Sequence, residues 1–96
     1  MDANRHVVVG VEVVPLCADP YPIVDRAIAA IQATGVRSQV CPLETVMEGT
    51  LEECLAAVRA AHHAALEAGA PRVITYVKIS DGANGSSIDE LMAKYR

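Results

Sequence analysis

The stretch His6–Leu16, HVVVGVEVVPL, constrains the fold of this chain more than any other. As a strand it places Val7, Val9, Val11 and Val13 on one face and Val8 and Val14 on the other, with one acid, Glu12, among them. Side chains alternate across a strand, so a strand with one wet face alternates apolar with polar. This one is apolar on both faces, so both need cover, and Glu12 needs a hydrogen bond or a countercharge. With 96 residues the chain is long enough for a modest core but not for a second buried layer. The expected cover is therefore another copy of the protein.

The net charge of −4 and the lack of a basic cluster argue against nucleic acid as a partner. Cys17, Cys41 and Cys54 are odd in number and widely spaced, with neither a CxxC pair nor a metal-ligand pattern. They read as reduced thiols acting as small hydrophobes, and no metal or cofactor is expected. The N-terminal MDANRH has no hydrophobic signal region, and no stretch approaches membrane-spanning length. The expected location is the cytoplasm.

After the first strand, Asp19-Pro20 reads as an N-cap acid with proline at the first helical position, and Pro22 is tolerated in the first turn. The helix is expected to run to about Thr34, with Val24, Ala27, Ile28 and Ile31 on its buried stripe and Gly35 closing it. Val36–Leu43 and Glu44–Gly49 read as two strands joined by a turn near Pro42. Thr50-Leu51-Glu52-Glu53 is a capping box opening a helix that ends at Gly69. Its expected buried stripe is Leu51, Leu55, Val58, His62 and Ala65/Leu66. Arg72–Ile79 is the last strand, Asp81–Ser86 a loop, and Ser87 caps a short terminal helix.

The order β-α-β-β-α-β, with right-handed crossovers, puts both helices on one side of one sheet. That is an α+β, ferredoxin-like plait, antiparallel with strand order 4-1-3-2, forming one domain over residues 1–96. The other face carries Val8, Val14, Ile74 and Tyr76, too apolar to stay wet, and a face-to-face homodimer or homotetramer follows. The tail helix, with Ile88, Leu91, Met92 and Tyr95, packs on its own subunit or crosses to a neighbour.

Glu12 shares parity with Val8, Gly10 and Val14, and Lys78 shares parity with Ile74 and Tyr76, so both are expected on the face away from the helices. Glu48 is expected on the other flank of the first strand. Two readings stand for this group. One is a Glu12–Lys78 interface pair fixing assembly register, which would cost about 3–5 kcal/mol if one partner were removed. The other is a polar patch in an apolar interface, the usual makeup of a small-molecule pocket. His62 falls on the buried stripe and reads as a satisfied core histidine, while His63 lies on the exposed side. The two point about 100° apart and do not share an ion. Asp81–Gly85 lacks the spacing of a phosphate-binding loop and reads as a connector.

The segments VEVVPL, QVCPLETVMEG and RAAHHAALEAGAPRVITYVKISD together resemble the small thiamine-binding protein family. The resemblance runs from Val9 to Asp81 and rests on the order and spacing of Pro15, Pro42, Thr45, Glu48-Gly49, His62, Gly69, Arg72-Val73 and Lys78. It implies a ferredoxin-like fold assembled through its sheets, and binding of thiamine or its hydroxymethylpyrimidine part in transport, salvage or sensing. Glu12, Thr45 and Glu48 suit the donor amine and ring nitrogens of such a ligand, and Lys78 completes the expected binding set by orienting an acid; no catalytic residue is expected. Glu44 departs from the family pattern, which often has glycine there, and Gly82-Ala83-Asn84 replaces residues that are often charged. Two other classes compete: a small enzyme, an isomerase or cofactor-free oxygenase with Glu12 or His62 as base, and a regulatory domain whose oligomerisation is its function.

Overall fold

The computed structural model describes residues 5–96. Four strands, β1 (His6–Pro15), β2 (Arg37–Val40), β3 (Thr45–Thr50) and β4 (Val73–Ser80), form one sheet in the order β2-β3-β1-β4. Every neighbouring pair is antiparallel. Read from the other edge this is the expected 4-1-3-2 plait. Helices α1 (Tyr21–Ala33) and α2 (Leu51–Glu67) connect the strands, and a short helix α3 (Ile88–Met92) with a 3-10 turn at Ala93–Tyr95 ends the chain.

The valine alternation sets the layers. Val7, Val9 and Val11 are fully buried with Met47 of β3, Ala27 and Ile31 of α1, and Cys54, Ala57 and Ala61 of α2. The deepest stripe of α2 is thus Cys54, Ala57, Ala61 and Ala65, rotated from the expected one, with Leu66 left exposed. Small side chains occupy the line where α2 meets both the sheet and α1, because only they let the backbones approach closely. The larger Leu51 and Val58 flank that line, partly buried. Burying the thiol of Cys54 there pushes its pKa up to about 11, with the acids Glu53 and Glu48 adding to the effect.

The capping box forms as expected: Glu53 N–H donates to Thr50 Oγ1 at 3.2 Å, and Thr50 N–H to Glu53 Oε1 at 3.0 Å. The N-terminus of α1 differs. Pro20, not Asp19, holds the N-cap position, and no side chain caps the helix. With Asp19 as cap, Pro22 would stand where a capping carboxylate seeks an amide, and proline has none. The first hairpin strand is shorter than expected, ending at Val40 because Pro42 cannot donate to the ladder, and the second is displaced by one residue to Thr45–Thr50. Cys41 N–H closes the turn onto the Glu44 carbonyl at 2.9 Å.

The second face of β1 is covered in part by the chain's own tail. Helix α3 lies on the side of the sheet away from α1 and α2, burying Val8 to 7% exposure and Ile88 to 5%. A second copy is therefore not required to cover Val8, which corrects the sequence expectation at that position. Ile74 and Tyr76, farther along the same face, remain exposed. Among the described residues, no helix is long and apolar enough to cross a membrane.

Candidate functional site

Between α3 and the sheet lies an open cleft of about 360 Å³. Its floor is Val8, Gly10 and Val46, its roof Ile88, Leu91 and Met92, and its polar sides Gln39, Glu44 and Lys78. The register explains the convergence. Gly10 is paired with Val46 on one side and with Lys78 on the other, and Val46 is paired in turn with Gln39. Glu44, two residues before Val46, shares its parity and reaches the same face.

Gly10 creates the space for Glu44. A Cβ built on Gly10 would overlap the Glu44 carboxylate, whose Oε1 lies over the glycine. The missing side chain thus admits a carboxylate onto the middle of an otherwise apolar strand face. Lys78 Nζ donates to Glu44 Oε2 at 3.1 Å. The two partners differ in setting: the Lys78 side chain is 76% exposed and that of Glu44 only 25%. The carboxylate is the held member of the pair and the ammonium the free-swinging one.

The roof is anchored by Glu48. Its side chain, 11% exposed, accepts the Ile88 N–H at 2.7 Å through Oε1. Arg37 Nη1 lies 3.4 Å from the same oxygen, and His6 Nδ1 3.8 Å from Oε2. Arg37 also pairs with Asp89 at 3.2 Å, and Arg96 with Asp89 at 2.6 Å. The hydrogen bond from Arg37, then that from Arg96, holds the Asp89 carboxyl below its usual value. Ser87 Oγ caps α3 by accepting the Glu90 N–H at 3.1 Å.

The four residues singled out from the sequence do not form one constellation. Lys78 lines the cleft, and Glu48 fastens its roof. Glu12 is exposed on the same face, paired in register with Tyr76, and Lys78 takes Glu44 rather than Glu12 as its ion partner. Thr45 is 5% exposed and shares the parity of Met47, so it faces the helix layer. There it lines a separate hollow of about 90 Å³ between α1 and the β2–β3 turn. The cleft residues that sequence reasoning missed are Glu44, Gly10 and Gln39. A glycine interrupting a valine run, opposite a strand with an acid at matching parity, was the available signal.

His62 Nδ1 meets Thr75 Oγ1 at 2.6 Å, half-buried between α2 and β4, as a satisfied histidine does. His63 pairs with Glu67 on the surface at 2.8 Å. Among the described residues no group of three or more metal-ligating side chains converges.

A family model described as thiamine-binding protein matches residues 9–96. A UPF0045 protein of Clostridium perfringens is 39% identical over 90 residues, covering 92% of this chain and 95% of that one. A Bacillus cereus domain of unknown function, DUF77, superposes with a TM-score of 0.92 at 40% identity, over 100% of this chain and 96% of that chain. A Thermotoga maritima protein with a provisional assignment to thiamine biosynthesis/salvage gives a TM-score of 0.85 at 33% identity, over 95% and 99% of the two chains.

Proposed function

Because the chain belongs to the thiamine-binding protein family, we propose that it is an oligomeric small-molecule-binding protein rather than an enzyme. Its ligand is thiamine or its hydroxymethylpyrimidine part, held in the cytoplasm for transport, salvage or sensing. The observation that carries this reading is the cleft beneath α3, where one ion pair is set between apolar walls. Its volume of about 360 Å³ lies at the lower end of the ~300–1,000 Å³ typical of small-molecule sites. A flat heterocycle suits such a site: its ring faces take the apolar floor and roof, and its polar edge meets the carboxylate of Glu44. The provisional thiamine assignment of the Thermotoga maritima relative points the same way.

In this reading Lys78 borders the site as the exchangeable partner of Glu44, and Glu48 serves by holding the roof in place. Glu12 acts at the uncovered end of the face, next to Tyr76, where a second subunit would complete the site. Thr45, on the helix side, supports the strand that carries Glu44. The exposed Ile74 and Tyr76 support assembly through the remainder of this face.

Thermal denaturation with added thiamine or hydroxymethylpyrimidine, alongside light scattering, tests the proposal. A ligand that binds only the native state raises the melting temperature in a concentration-dependent way. A rise with either compound, and a mass of two or four chains, is expected. No shift at millimolar concentrations of both would refute the ligand, and a monomeric mass would refute the assembly.

A further inference from the structure

We infer that the cleft selects for positive charge, because Glu44 is its fixed recognition group and Lys78 stands in the position of the ligand's cation. The inference rests on the reading that this cleft binds a small molecule, and it narrows the ligand to a cationic heterocycle over a neutral one.

The asymmetry of the ion pair carries the argument. The Glu44 carboxylate lies over Gly10, three-quarters covered, with its space defined by the absence of a Cβ beneath it. Lys78 reaches it from an exposed position on the edge strand β4. A lysine side chain is long and rotatable, and an exposed ion pair of this kind contributes little stability. Swinging Lys78 into water rehydrates the ammonium but leaves a partly desolvated carboxylate facing the apolar cleft. That state is unfavourable unless another positive charge replaces the ammonium. A cationic ligand does so, and the weakly hydrated charge of a heteroaromatic ring loses less hydration than an ammonium in entering. An anionic ligand meets the reverse situation: it would have to draw Lys78 inward while lying against Glu44.

Binding of two pairs, measured by calorimetry at mildly alkaline pH where the neutral members are uncharged, tests this. N-methylquinolinium against quinoline is matched in shape and isolates charge; thiamine against hydroxymethylpyrimidine also differs by the second ring and reports on the thiamine reading. In the unaltered protein N-methylquinolinium is expected to bind at least about tenfold tighter than quinoline, as contact between opposite charges in a partly desolvated site warrants. Glu44→Gln should bring the ratio to within about threefold, since only the charge-dependent part is lost. Gly10→Ala should do the same without removing the charge, because its Cβ displaces the carboxylate. Alanine is conformationally acceptable in a strand, so this variant keeps the test available if Glu44→Gln folds poorly. Lys78→Met should tighten the cation by removing its competitor.

Selection by charge in the quinoline pair, abolished in Glu44→Gln, with no binding of either thiamine compound, would support the inference and refute the thiamine reading. Equal binding of N-methylquinolinium and quinoline, unchanged in Glu44→Gln, with thiamine or hydroxymethylpyrimidine bound, would overturn the inference and leave the thiamine reading intact. Binding of none of the four would overturn both.

Discussion

Glu48→Ala should release the tail helix from the sheet while leaving the rest of the fold in place. The Glu48 carboxylate accepts the Ile88 N–H at 2.7 Å with its side chain nearly covered. A hydrogen bond to a charged group contributes about 1.5–3 kcal/mol, and its loss leaves the Ile88 amide without its carboxylate acceptor. At about 1.4 kcal/mol per tenfold, the opening equilibrium of the tail should rise by roughly 10- to 150-fold. The Leu91 N–H, bonded to the Ser87 carbonyl at 3.1 Å, reports that opening by hydrogen exchange. The β1 amides of Val9 and Val11 lie in the middle of the sheet and should slow-exchange almost as before. Glu48→Gln keeps a neutral acceptor in place and should fall between the two. Unchanged Leu91 protection in Glu48→Ala would refute the role of Glu48 as the anchor of α3. Equal acceleration at Val9 and Leu91 would refute the idea that the tail opens as a separate unit.

Asp89 should titrate below its ordinary value of 3.8, because Arg37 and then Arg96 donate to it. A depressed folded pKa means that this contribution to tail docking is complete above 3.8 and lost as pH falls below it. Carboxyl NMR should show the low midpoint in the parent and a return toward 3.8 in Arg37→Met; an identical midpoint in both would contradict the pairing. The Cys54 thiol, pushed up to about 11 and fully buried, should resist iodoacetamide at neutral pH in the folded protein. Cys17 and Cys41 are half-exposed and should react first, as mass spectrometry of the labelled peptides would show.

The topology was legible because each element carries a local signal with the right period. Val7, Val9 and Val11 on one parity, the Thr50–Glu53 box and Gly69 at φ 103° together specify strand, helix start and helix end. Parity also put Glu12 and Lys78 on the correct face. What escaped the sequence depends on distant parts of the chain meeting. That α3 covers Val8 follows from a contact between Glu48 and Ile88, forty residues apart. The displacement of the buried stripe on α2 toward Cys54, Ala57, Ala61 and Ala65 reflects the packing of α2 against α1, which hydrophobicity does not encode. Glu44 carries only the local signal of a strand start, since nothing near it in sequence shows that its side chain fills the gap above Gly10. Thr45 is linked to a ligand by resemblance alone, and its parity places it with Met47 on the helix side.

The most direct test of the cleft as a binding site is a titration of the isotope-labelled protein with thiamine, followed by backbone and methyl NMR. Shifts concentrated at Val8, Gly10, Val46, Lys78, Leu91 and Met92, saturating together, are the expected result. Saturable shifts confined to Thr45 and the hollow between α1 and the β2–β3 turn, or no shifts at all, would contradict it.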